Sequence, residues 1–272
     1  MRLNEIIRKT ETLTADKLLV SIKNGKFTID GSKLKVAGNF SCNYSELTSL
    51  KGAPASVGGN FYCHYNELTS LKGAPASVGG SFYCTNNKLT SLEGAPSSVG
   101  GDFSCTDNKL TSLKGVQSSV DGDFYCNVNQ LTSLEGAPSS VGEDFDCAYN
   151  ELTSLKGAPS SVGGTFYCYK NMLTSLEGGP SSVGGHFFCQ NNKLTSLSNI
   201  HKYIKEVHGY MNFEKNPIKS SVLGLVKIKG LTDVMFDDKK LQKIMNKYLP
   251  LGDILDCQEE LIGAGLDKFA EL

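Results

Sequence analysis

No stretch of this 272-residue chain approaches the roughly 18 consecutive apolar side chains of a membrane-spanning helix, so no membrane contact is expected. A charge of one sign is missing as well. The formal net charge is -1, which offers neither the basic surface of a nucleic-acid binder nor a polybasic membrane anchor. The opening residues, MRLNEIIRKTETLTADK, are charged throughout and lack the apolar run of a secretory signal. Histidine is scarce: His64, His186, His201 and His208 are dispersed, and no spacing pairs a nucleophile with a base. No glycine-rich phosphate loop precedes a helix. These absences point away from an enzyme and from any cofactor, and towards a cytoplasmic protein. Nine cysteines would suit a disulfide framework in a short secreted chain, and this chain is neither.

What fills the chain is repetition. Seven consecutive units of 21 residues start at Leu47, Leu68, Leu89, Leu110, Leu131, Leu152 and Leu173, with the consensus LTSLxGAPxSVGGxFxCxxNx. Phe and Cys lie two apart, which is strand periodicity with both side chains on one face. A single unit has too few apolar side chains to fold alone, whereas stacked units bury a continuous core. Stacking sets each Phe-x-Cys strand beside the next in a parallel ladder about 4.8 Å apart. The cysteine column from Cys42 to Cys189 is thereby explained, because a small apolar thiol fits a narrow interior. Zinc would need four ligands converging on one point, which a linear ladder does not supply.

An asparagine follows each strand (Asn66, Asn87, Asn108, Asn129, Asn150, Asn171, Asn192), and its amide suits the backbone groups of the turn. The returning segment GAPSSVGG carries proline and paired glycine, so extended or polyproline-like conformation is expected there. Residues 1–46 read as an N-terminal cap and entry repeat, with short helices over NEIIRK and ADKLLVSIKN. Residues 47–193 hold the seven repeats. Residues 194–240 hold two degenerate ones: Val207, Met211, Phe213, Asn216 and Ile218, then Leu231, Val234, Phe236 and Leu241 with Lys239 in place of Asn. Residues 241–272 form a C-terminal helical cap, its first stripe Leu241, Ile244, Met245, Tyr248 and Leu249 ending at Pro250. A second stripe runs through Ile254, Leu255, Leu261, Ile262, Leu266, Phe269 and Leu272, divided at Gly263 and Gly265.

The pattern FxCxxNxLTSL matches LxLxxNxLxxL, and in seven tandem copies the chain resembles the leucine-rich repeat family. The short coil resembles the class found in bacterial effectors, although its Leu-Pro pairs are absent and VGGxF carries an extra residue. The tail GDILDCQEELIGAGLDKFAEL is similar to that of uncharacterised leucine-rich-repeat proteins of large tailed bacteriophages. The resemblance implies a β-rich solenoid whose curved parallel sheet faces inward, with extended convex segments and helical caps at both ends. It also implies a phage protein acting on a host component in the host cytoplasm.

Positions that vary while the frame stays fixed are where recognition would sit. Before each Phe stand Asn60, Ser81, Asp102, Asp123, Asp144, Thr165 and His186; between Phe and Cys stand Tyr62, Tyr83, Ser104, Tyr125, Asp146, Tyr167 and Phe188. After Cys come His64, Thr85, Thr106, Asn127, Ala148, Tyr169 and Gln190. Tyrosine gives a large amphipathic contact at modest entropic cost, although it also simply suits strands. Between Leu89 and Glu151 ten carboxylates face two lysines, a local balance of -8. Asp102, Asp123 and Asp144 share one outward column, and Asp107 and Asp146 are expected to strengthen its field. The expectation is a monomeric, non-catalytic binding module for a protein with a basic surface. A virion component, or a small-ligand or divalent-cation binder using the Asp column, is the alternative.

Overall fold

The computed structural model describes residues 22–23, 26–27, 32 and 34–272. The chain forms two compact units, Met1–Gln130 and Leu131–Leu272. Each is a parallel β-solenoid of stacked 21-residue coils, the last coils of the second unit being longer.

In the N-terminal unit the strands Phe40–Ser41, Phe61–Tyr62, Phe82–Tyr83, Phe103–Ser104 and Phe124–Tyr125 pair in parallel, Phe opposite Phe in every case. Each coil donates the N–H of its Phe and Cys to the following coil, as Phe61 does to Ser81 at 2.9 Å and Cys63 to Tyr83 at 2.9 Å. The rings stack with centroids 5.3 to 5.6 Å apart. Behind them Cys63, Cys84, Cys105 and Cys126 are fully buried, and none forms a disulfide. Their thiols reach the neighbouring coil's carbonyls, as Cys105 Sγ does to Tyr125 O at 3.3 Å. Burial pushes the thiol pKa up, to about 12 for Cys42 and well above the ordinary value for Cys63 and Cys105. These are packing groups.

The asparagine amides join coils. Asn66 Oδ1 accepts from Ser45 N and Leu47 N at 3.0 and 2.9 Å, while its Nδ2 donates to the carbonyls of Cys42 and Cys63 at 2.9 and 3.0 Å. Asn87 and Asn108 repeat the pattern, so one side chain satisfies backbone groups on two coils.

The return segment is extended, as expected, and does more than carry the chain back. It contains a second parallel ladder, Lys35–Val36, Ser56–Val57, Ser77–Val78 and Ser98–Val99. The paired glycines make this approach possible, because a Cβ on Gly79 would lie 2.2 Å from Gly58 O. At the next coil Asp121 occupies that glycine column, and Ser119–Val120 does not pair with Ser98–Val99. Gln117, standing where the other coils carry proline, spans the break. Its Oε1 accepts from Val99 N at 2.7 Å and its Nε2 donates to Val99 O at 3.1 Å, replacing the backbone groups of a strand.

The C-terminal unit repeats the scheme with Phe145–Asp146, Phe166–Tyr167, Phe187–Phe188, Tyr210–Asn212 and Asp233–Met235, so both degenerate repeats contribute strands. Lys239 does stand in for asparagine: its Nζ donates to Phe236 O at 2.8 Å, as Asn216 Nδ2 does to Phe213 O at 3.0 Å. A short helix, α1 (Ile200–Tyr203), precedes the first longer coil. The cap consists of α2 (Lys239–Tyr248) and α3 (Ile254–Gly263), each started by an aspartate, Asp238 and Asp253, whose side chain accepts first-turn N–H groups. A short 3-10 turn, Asp267–Ala270, follows. The stripe on α2 is buried as expected. On α3 only Cys257 and Leu261 are buried, while Leu255 and Ile262 face solvent, 72% and 49% exposed.

Side chains of α2 close the last strand. Asn246 Oδ1 accepts from Val234 N at 2.8 Å, and Gln242 Oε1 accepts from Phe236 N at 3.2 Å. At the other end, NEIIRK and ADKLLVSIKN up to residue 21 lie outside the described residues. Ile22–Lys23, expected as helix, is a strand paired antiparallel with Lys26–Phe27.

Candidate functional site

The strand face of the N-terminal unit is paved by ordered aromatics. Tyr62 and Tyr83 stack at 5.4 Å with an interplanar angle of 3°. Their hydroxyls are fixed: Asn60 Nδ2 donates to Tyr62 OH at 2.7 Å, and Tyr83 OH donates to Asp102 Oδ2 at 2.9 Å. Burial, with the Asp102 carboxylate beside it, raises the Tyr83 pKa. Ser104 is buried and interrupts the ladder before Tyr125, whose hydroxyl donates to Asp123 Oδ2 at 2.7 Å.

The column before Phe has a structural task that spacing alone did not reveal. Each side chain accepts from the backbone N–H of its counterpart one coil on: Asn60 from Ser81 N, Ser81 from Asp102 N, Asp102 from Asp123 N, at 2.8, 3.0 and 3.1 Å. In the C-terminal unit Asp144 accepts from Thr165 N at 2.7 Å, Thr165 from His186 N at 3.3 Å, and His186 Nδ1 from Tyr210 N at 3.2 Å. All these residue types are acceptors. The aspartates therefore hold coils together as well as charging the face, and N–H and phenol donors offset the repulsion between like charges in neighbouring coils.

His64 lies edge-on to Tyr44, Tyr62 and Tyr65 at 5.7, 6.0 and 5.6 Å. Its Nε2 meets Asn43 Nδ2 at 3.1 Å, its Nδ1 is buried without a partner among the described residues, and burial lowers its pKa. In the C-terminal unit Tyr167 stacks on Phe188 at 5.2 Å and 4°, while Tyr169 meets Tyr167 and Tyr149 edge-on. His186 packs against Phe188 and Tyr210. Asp146, where other coils carry tyrosine, is pushed up to about 6 by burial first and then by Asp144, with the Ala148 N–H opposing.

Asp107 does not join the strand face. It lies in a rim column, the residue before each ladder asparagine, whose members in the N-terminal unit are Tyr44, Tyr65, Asn86, Asp107 and Val128. Every one has φ between 51° and 56°, the left-handed region. Tyr44 and Tyr65 stack at 4.6 Å and are 69% and 48% exposed. They border an open groove of about 480 Å³. Sequence reasoning passed over this column because its residue types vary freely, and only the backbone shows that it is a continuous edge.

Comparison of the chain with protein-family models and with curated proteins finds no match. No group of three or more His, Cys, Asp or Glu side chains that could hold a metal ion occurs among the described residues, and no helix there is long and apolar enough to cross a membrane. The chemistry on offer is contact: flat aromatic faces with polar tips, flanked by carboxylates and held in register by the coils.

Proposed function

We propose that the chain is a non-catalytic scaffold of the leucine-rich-repeat type that recognises a protein with a basic surface on its strand face. The observation that carries this reading is the prearranged pair Tyr62 and Tyr83, half exposed, coplanar within 3° and tethered at both hydroxyls. Aromatics already fixed in one rotamer lose little freedom on binding, so their contact area converts efficiently into affinity. Asp102 and Asp123 add negative potential beside them, which favours basic partners mainly through association rate. A divalent cation on the same column has less in its favour, since Asp102 already accepts from Asp123 N and from Tyr83 OH. The family rests on FxCxxNxLTSL and the bridging role of its asparagine. A phage protein acting on a host component in the host cytoplasm is the biological setting that the tail resemblance favours.

The test is affinity capture from bacterial lysate with the native chain and with Tyr62→Ala/Tyr83→Ala, both first shown to be folded. A basic protein retained by the native chain, released by moderate salt and lost with the variant, is the expected result. Equal recovery by both chains would remove the strand face as the site.

A further inference from the structure

The rim column is costly to build as it stands. Left-handed backbone suits glycine, asparagine and aspartate, whereas a bulky side chain there is strained. Yet Tyr44, Tyr65 and Val128 adopt it in the N-terminal unit, and both tyrosines are held out to solvent. The groove they border is also lined by Glu46, Asn86, Lys88 and Asp107. Lys88 is taken by an ion pair with Glu67, whereas the carboxylates of Glu46 and Asp107 have no side-chain partner among the described residues. The free charged groups at the groove are thus anionic, beside exposed aromatic faces.

The C-terminal unit shows what such a tyrosine accepts. Tyr149 occupies the same column, with φ 53°, and one coil later stands Lys170. The Lys170 ammonium lies 4.3 Å from the Tyr149 ring centroid and donates to its hydroxyl at 2.7 Å. There the chain supplies its own cation. One coil after Tyr65 stands Asn86, which supplies none.

We infer that the Tyr44–Tyr65 rim groove is a second binding site, which takes an arginine side chain from a basic peptide segment of another protein. A guanidinium fits better than an ammonium: its plane stacks on a tyrosine face while its edge reaches a carboxylate, Glu46 or Asp107, in bidentate fashion. The inference shares with the function proposed above the expectation of a basic partner, but it uses the rim and not the strand face, so each can fail alone.

The probe is a fluorescein-labelled Gly-Ser-Arg-Gly-Arg-Ser-Gly peptide, titrated by anisotropy at low salt against the full chain, with a lysine-for-arginine peptide and a neutral oligosaccharide for comparison. Saturable binding of the arginine peptide is expected, at least threefold tighter than the lysine peptide. Tyr44→Ala/Tyr65→Ala and Glu46→Gln/Asp107→Asn should each weaken it at least tenfold, while Tyr62→Ala/Tyr83→Ala leaves it within twofold. Asn86→Lys guards against misfolding as an explanation, because it copies Lys170 over Tyr149: the variant should keep a cooperative unfolding transition and lose the peptide. Absence of saturable binding, binding indifferent to the rim variants or to Asn86→Lys, or a groove that takes the oligosaccharide without competition from the arginine peptide would each overturn the inference.

Discussion

Asp146→Asn should stabilise the protein at neutral pH and do nothing in acid. Asp146 replaces the tyrosine found at this position in the next coil, Tyr167, and is half-buried beside Asp144. Its folded pKa of about 6 lies some two units above an ordinary aspartate, equivalent to about 3 kcal/mol at 1.36 kcal/mol per unit. Partial exposure and solvent screening reduce this to about 1–2 kcal/mol. The sign follows from proton binding. Between pH 4 and pH 6, roughly, the folded state holds more protons at this site than the unfolded state, so stability falls as pH rises through that window. Below it both states are protonated and the penalty vanishes. Asparagine keeps an oxygen for the Ala148 N–H, which Asp146 Oδ1 now accepts at 2.8 Å, and carries no charge. Denaturant unfolding of the two chains across pH 4–8 isolates the effect, because every other titrating group is common to both. The variant's advantage should be near zero at pH 4 and about 1–2 kcal/mol at pH 7.5, a shift of several degrees in thermal midpoint. An advantage independent of pH, or a loss at pH 7.5, would refute the account.

Gln117→Ala should destabilise by about 1–3 kcal/mol by stranding the N–H and carbonyl of Val99, and the pair Gln117→Pro/Asp121→Gly should recover the loss by rebuilding the second ladder. The eight repeat thiols should resist an alkylating probe until denaturant is added, and Cys105→Ala should cost on the order of 1 kcal/mol; rapid labelling of the native protein would contradict the buried column. Deleting Leu68 to Lys88 should leave a cooperative unfolding transition, since Phe61 can take the register that Phe82 now holds on Phe103, whereas removing half of that segment should abolish it. Gly79→Ala should be severely destabilising, because its Cβ would collide with Gly58 O, and a normal melting curve would show that the coils are less tightly stacked than described.

The stacking, the Phe-Cys strands, the bridging asparagines and the two longer helices of the cap were legible because each follows from periodicity or from a local stop signal. The second ladder was not. A Val-Gly-Gly segment reads as a flexible turn, and only the distance from Gly79 to Gly58 O shows that glycine is there to let two backbones meet. The aspartate column was seen as charge, because the N–H that Asp102 accepts belongs to a residue 21 positions away. Asp107 was expected to strengthen the field of the aspartate column, but it stands in the rim column, where its backbone is left-handed, and not on the strand face. The second stripe of the cap misled for a related reason: Leu255 and Ile262 share the apolar pattern of Leu261 yet lie on the side of α3 turned away from the solenoid.

A ladder that donates forward from every coil has no internal reason to stop. Each N–H pair calls for another strand, and a second molecule's first coil could provide one, which is how open sheet edges seed fibres. Here the call is answered by Asn246 and Gln242, whose amide oxygens sit where the carbonyls of a further coil would be. Those two side chains act as a terminator, separate from the coils they end. Repeats can therefore be gained or lost upstream without altering how the solenoid ends, and Gln242→Leu/Asn246→Leu would strand the N–H groups of Val234 and Phe236 beneath a helix that still covers them.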